Sequence, residues 1–163
     1  MNRAYVIVES PIGPLTMVAE DGDLTGLYMD EQSHRPGGET FGFPGDADAE
    51  PFASAAKQLI AYFSGELTSF DLPLAPEGTP FQRRVWAALQ TIPYGQTRSY
   101  GELARQIGSE SASRAVGLAN GKNPIALVIP CHRVIGADGS LTGYGGGLDR
   151  KRFLLDLEAK ATA

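Results

Sequence analysis

The sequence has 163 residues, 42% hydrophobic and 20% charged, which suits one ordinary domain or two small ones sharing an interface. No run approaches the roughly 20 apolar residues of a membrane span. The start, Met1-Asn2-Arg3-Ala4-Tyr5, is not that of an export signal, and one cysteine cannot form an internal disulfide, so a cytoplasmic protein is expected.

The net charge of −5 counts against a general nucleic-acid binder, but it is unevenly divided. Residues 1–76 hold three basic and twelve acidic residues, whereas residues 77–163 hold eleven basic and seven acidic. Such a split suggests that one half meets a polyanion and the other does not.

In the first half, Ala4–Glu9 is rich in Val and Ile and predicts a strand. Leu15–Glu20 and Leu24–Asp30 are expected to pair across Asp21-Gly22, a hairpin signal. Residues 31–50 are polar and rich in Gly, Pro and Asp, and read as a long loop. Phe52, Ala56, Leu59, Ile60 and Phe63 recur at helical spacing, so an amphipathic helix is expected over 51–64. Residues 70–74 read as extended, and Pro73, Pro76 and Gly78 mark the expected linker. The chain is thus divided into 1–76, a small α/β unit, and 77–163.

The second half carries sharper signals. Thr79, Pro80 and Gln82 combine an N-cap, a first-turn proline and a capping-box partner, with Phe81, Val85, Trp86 and Leu89 on one face of the helix they start. Ser99 and Glu102 form a second capping box for a helix to about Ile107, which Gly108 ends. A third helix, small-residue-rich, is expected over 111–120, with Ala112, Ala115, Val116 and Ala119 on one face. Two short helices about a glycine turn are the pattern of a helix-turn-helix, though helical hairpins in general share it. The apolar run Ile125–Ile129 between Pro124 and Pro130 predicts a buried strand. Residues 135–147 read as a loop, and a last helix is expected over 148–158, with Leu148, Leu154, Leu155 and Leu157 apolar.

Cys131, the only cysteine, lies between Pro130 and His132-Arg133. A thiol becomes a nucleophile as the thiolate, which needs a nearby cation, base or helix N-terminus. His132 and Arg133 are candidates, although neighbours on a strand point to opposite faces, so a bridging water between Cys131 and His132 is plausible. Glu158 could orient His132. The other reading is that Cys131 is a small buried hydrophobe. The glycine run Gly143–Gly147 matches neither a P-loop nor a dinucleotide fingerprint, and the histidines and cysteine lack zinc spacing. Arg114 is solvated by default, or reaches DNA if its helix does.

Ile129-Pro130-Cys131-His132-Arg133-Val134 resembles the active-site signature of the O6-alkylguanine-DNA alkyltransferases, also called methylated-DNA–protein-cysteine methyltransferases. The resemblance extends through Tyr94-Gly95, Ser99-Tyr100-Gly101, Arg114-Ala115-Val116-Gly117, Asn123-Pro124, Gly143-Tyr144, Gly146-Gly147, Leu154-Leu155 and Glu158. It implies an α/β fold: a small N-terminal ribonuclease-H-like domain, then a mainly helical, winged-helix-like domain containing the helix-turn-helix.

The resemblance also implies direct-reversal DNA repair. Cys131 would take the alkyl group from guanine O6 once and irreversibly, with O4-alkylthymine left open as a second substrate. His132 would deprotonate Cys131 through water, with Glu158 orienting it, and Tyr100 would serve guanine N3. The Gly145 N–H would hold O6, in the loop with Tyr144 and Gly146, and the carbonyls of Cys131 and Val134 would accept from the exocyclic amine. Asn123 would brace the active-site approach. Arg114 would fill the place of a flipped nucleotide, with Ala115 and Gly117 allowing close approach in the minor groove.

No cofactor is implied. The N-terminal cysteines of zinc-containing relatives are absent, so no zinc is expected. The expected partner is double-stranded DNA, bound by a monomer, with cooperative assembly left open. The alternatives are a non-catalytic damage-binding or helix-turn-helix regulatory protein and a Cys–His hydrolase.

Overall fold

Asp21 and Gly22 both adopt left-handed backbone, φ 52° and 88°, as a two-residue hairpin with right-twisted strands requires. They join β2 (Leu15–Glu20) to β3 (Asp23–Met29), with Glu20 opposite Asp23. β1 (Arg3–Val8) lies antiparallel to β2, and the two-residue β4 (Phe43–Pro44) adds in parallel, giving the order β3-β2-β1-β4. The computed structural model describes residues 2–162; Met1, at the start of the stretch read for an export signal, and Ala163 lie outside them.

β3 is an edge strand, and its free edge is covered from two distant parts of the chain. Leu24 exchanges backbone hydrogen bonds with Pro73 and Ala75, in the linker. Leu27 does the same with Pro124 and Ala126, immediately before the Cys131 turn. The sheet is therefore continued into the second half, and one apolar core runs through both halves.

α1 (Phe52–Phe63) buries Phe52, Ala55, Leu59 and Tyr62 in the core shared with the sheet. Ile60, expected on that face, is 72% exposed: the buried face carries Tyr62, whose ring packs on Phe63, Phe70 and Tyr94. α2 (Pro80–Leu89) has both capping-box bonds between Thr79 and Gln82, and so does α3 (Tyr100–Gln106) between Ser99 and Glu102. α4 (Ser113–Gly121) begins after a 3-10 turn at Glu110–Ala112, two residues later than expected. The indole N–H of Trp86 donates to Ala119 O at 2.8 Å, fixing α2 against α4.

The expected strand over 125–129 is a buried turn. Ile125 makes one bridge, to Leu27; Ala126–Val128 then reverse direction, with Leu127 at φ 71°. The run is apolar because the turn is buried, and burial alone does not specify extended backbone. Its polar backbone is paired locally, as a buried turn requires: Ile129 N donates to Ile125 O at 3.0 Å and Val128 N to Ala126 O at 2.8 Å.

β5 (Arg98–Ser99) and β6 (Val134–Ile135) form a short parallel pair. It sets Tyr100, first residue of α3, level with the start of the loop that follows β6, and Tyr100 Oη reaches Thr142 O in that loop. α5 (Leu148–Thr162) runs past the expected end at Glu158. Its buried line is Lys151, Leu154 and Glu158, while Leu148, one of its apolar residues, is 49% exposed. Among the described residues no helix is long and apolar enough to cross a membrane.

Candidate active site

Cys131 opens a 3-10 turn, Cys131–Arg133, and is buried. Asn123 braces the approach from both ends: its Oδ1 accepts from Ile125 N at 3.0 Å and its Nδ2 donates to Ile129 O at 2.7 Å. Because the turn is helical rather than extended, the opposed-face geometry of a strand does not apply to Cys131 and His132.

His132 is fully buried and points its Nε2 at Glu158 Oε2, 2.6 Å away. That carboxylate also accepts from Tyr62 Oη at 2.6 Å and from Arg133, Nε at 2.8 Å and Nη2 at 3.1 Å. Burial pushes the Glu158 carboxyl up, but the hydrogen bonds from His132, Arg133 and Tyr62 outweigh it and bring it to about 2. Burial holds the His132 imidazole below its ordinary range, and the Arg133 and Lys151 charges act the same way against Glu158. The pair at neutral pH is thus a neutral imidazole donating from Nε2 to a carboxylate, which leaves Nδ1 as an unprotonated acceptor. Nδ1 is buried with no hydrogen-bond partner among the described residues.

Burial raises the Cys131 thiol, opposed by the Asn123 hydrogen bond and the Lys151 charge. The resting group is a protonated thiol that needs a base. Lys151, fully buried, donates from Nζ to Val134 O and, at 2.8 Å, to Thr142 O. Burial brings its ammonium down to about 8, and Cys131 acts against that fall.

A narrow cleft of about 10 Å³, room for one water, reaches Cys131, lined by Asn123, Tyr144, Gly145 and Gly146 among others. Two polar atoms of residues in its lining, Asn120 Oδ1 and Tyr144 Oη, are buried without a hydrogen-bond partner among the described residues. Asn120 Nδ2 donates to Cys131 O at 3.4 Å. Of the two carbonyls predicted to accept from a base, Val134 O is held by Lys151 Nζ, and Cys131 O accepts from Asn120 Nδ2 and from the Val134 backbone N–H. Tyr100 Oη lies 3.4 Å from Thr142 O, at the edge of the Gly143–Gly146 loop. Its ring packs 3.7 Å from where a Cβ on Gly117 would stand. Arg114 and Ala115 are exposed on α4, outside the cleft.

The fold therefore joins Cys131, Asn123, Tyr144, Gly145 and Gly146 around one cleft, sets Tyr100 near its loop, and buries His132 with Glu158. Sequence reasoning missed Lys151, Asn120 and Tyr62. The spacing of Lys151 from Leu154 and Glu158, three and seven residues along one helix, was the available signal for the first. Tyr62 is 96 residues from Glu158 and gave none. Among the described residues no three His, Cys, Asp or Glu side chains converge as a metal site.

The family model described as "6-O-methylguanine DNA methyltransferase, DNA binding domain" matches residues 80–160, and the corresponding "ribonuclease-like domain" matches residues 4–76. A methylated-DNA–protein-cysteine methyltransferase of Mycolicibacterium paratuberculosis is 60% identical over 156 residues, covering 96% of this chain and 92% of the relative. One from Methanosarcina acetivorans is 56% identical over 157 residues, covering 94% and 97%. The crystal structure of Mycobacterium tuberculosis OGT in complex with DNA superposes with a TM-score of 0.89 at 57% identity, covering 97% of this chain and 94% of that one.

Proposed function

Since the chain belongs to the 6-O-methylguanine DNA methyltransferase family, we propose that it repairs DNA by direct reversal, moving the alkyl group from guanine O6 to Sγ of Cys131. His132 Nδ1 takes the thiol proton through one water, while Glu158 holds the imidazole by its Nε2 proton. The thiolate forms the S–C bond as the C–O6 bond breaks, and the bonding pair leaves with the guanine. Tyr100 donates a proton or hydrogen bond to N3 of the departing base. The Gly145 N–H steadies O6, and the carbonyls of Cys131 and Val134 accept from the exocyclic amine, Cys131 O exchanging its long bond from Asn120 Nδ2 for it. A thioether is a poor leaving group, so each chain reacts once.

The observation that carries this reading is the buried Cys131-His132-Glu158 arrangement, in which a raised thiol neighbours an imidazole held neutral with one acceptor nitrogen unpaired. The unpartnered Asn120 Oδ1 and Tyr144 Oη in the same cleft support a polar, base-like ligand.

The DNA is double-stranded, met through the minor groove by α4 of a monomer, with the damaged nucleotide flipped into the cleft. Support for this comes from exposed Arg114, Ala115 and Leu118 on α4, beside the small Gly117. Flipping costs a few kcal/mol, which Arg114 offsets by occupying the space left in the stack.

Duplex DNA containing radiolabelled O6-methylguanine tests the proposal. One label per chain, abolished in Cys131→Ser, is expected. Binding without transfer would leave a damage-binding protein, and sustained turnover of an ester would leave a hydrolase.

A further inference from the structure

The Cys131 cleft is built from three places. Two belong to the second half, the turn from Asn120 to Ala126 and the loop Gly143–Gly146; the third is the end of β3, which contributes Met29 and Gln32. These are, among the described residues, the two that the N-terminal half places in the lining, and neither is charged. The acidity of that half therefore does not enter the cleft.

This third wall is fastened to the loop it faces. Ser33 N donates to Gly145 O at 2.8 Å, and Gln32 Oε1 accepts from Met29 N at 2.8 Å. Arg150 of α5 donates to Asp30 O at 2.7 Å and pairs with the Asp30 carboxylate at 2.5 Å. The two walls are in contact. A Cβ on Gly146 would stand 2.5 Å from Met29 Sδ, and one on Gly145 would stand 3.6 Å from Gln32 Cγ. A substituent that outgrows the cleft on this side must displace Met29, Gln32 or the loop tied to them. Met29 is an unbranched, adaptable side chain that is 1% exposed, and Gln32 is half-buried.

We propose that Met29 and Gln32 set the size of alkyl group accepted at Cys131, so that the N-terminal half is the specificity wall of the reaction; this rests on the alkyl-transfer reading above. They act by shape and touch no reacting atom in the chemistry described.

The test uses the full chain and two free bases, O6-methylguanine and O6-benzylguanine, which removes DNA binding from the readout. Single-turnover rates of covalent modification are measured by mass spectrometry for the wild type, Met29→Ala, Gln32→Ala and Gln32→Phe. The two alanine variants are expected to raise the benzyl-to-methyl rate ratio about tenfold, and Gln32→Phe to lower it about tenfold, the scale of a methylene-sized change in a pocket. A variant that merely loosens the fold lowers both rates together and leaves the ratio unchanged. Ratios within about twofold of wild type in all three variants would overturn the proposal, since a methylene-sized effect exceeds that. If the wild type accepts neither free base, the same ratio is read on duplex DNA carrying the two adducts; failure to take up either group there as well would refute alkyl transfer itself, and this inference with it.

Discussion

Lys151 shows how much chemistry a single buried side chain can carry. It is fully buried on α5, holds the carbonyls of Val134 and Thr142, and its charge favours the Cys131 thiolate against the burial that raises the thiol. Lys151→Met keeps the length and removes the charge. Single-turnover transfer at neutral pH is expected to slow by about tenfold or more, with the pH profile moved upward, since one unit in the thiol is a factor of ten in thiolate. A loss with an unmoved profile would mean that Lys151 acts only as a tether for the Thr142 loop. His132 sets the other limb of that profile. Burial holds it below its ordinary 6.5, so the wild-type rate should not fall as pH drops to 6.5 and should decline only at lower values, as the imidazole takes up a proton. A rate already halved at 6.5 would count against His132 as the base. Cys131, His132 and Glu158 could all be picked out as candidates from the chain itself, because their types and order carry the chemistry. Asn120 and Tyr62 could not, because their roles exist only through contacts with Cys131 O and the Glu158 carboxylate.

α4 presents two kinds of surface on nine residues. Val116, Ala119 and Asn120 are buried against the core, whereas Arg114, Ala115 and Leu118 are exposed, Leu118 to 64%. An apolar side chain left bare beside an arginine on a small-residue helix suits insertion into a groove better than it suits water. Arg114→Ala is expected to slow transfer from duplex DNA by about tenfold or more while free O6-methylguanine reacts at close to the wild-type rate, because the cost of flipping arises only in the duplex. Equal losses on both substrates would remove Arg114 from that role. The capping boxes at Thr79 and Ser99 show why such helices were readable in advance: both reciprocal bonds lie within four residues. The 125–129 turn was not, since an apolar run reports burial and says nothing about the direction of the backbone within it.

The whole molecule stores a large part of its pH sensitivity at the contact between α5 and the Cys131 turn. Glu158 has an ordinary value of 4.5 and a folded value of about 2, so the stability it contributes is complete above 4.5 and is lost as pH falls from there towards 2. His132 acts with the same sign at higher pH: below 6.5 the unfolded chain takes a proton that the folded chain refuses. Unfolding midpoints in urea should therefore decline from about neutral pH downward, steepening below 4.5, by a few kcal/mol in all. In Glu158→Gln the steep part should vanish, and stability at pH 7 should drop by about 3–5 kcal/mol, because Arg133 keeps its buried charge without a counter-charge. A parallel decline in both proteins would place the acid sensitivity elsewhere. The same contact marks the limit of what the chain declares by itself. Caps, the Asp21-Gly22 hairpin, the helix periods and the Pro130-Cys131-His132-Arg133 signature are legible because each is decided by interactions within a few residues. Tertiary structure alone decided that β3 is covered by Leu74 and Ile125, that Tyr62 and Arg133 share one carboxylate, and that Met29 and Gln32 stand in the Cys131 cleft. Those are meetings of segments tens of residues apart, and no local spacing specifies which distant surface a buried side chain will find.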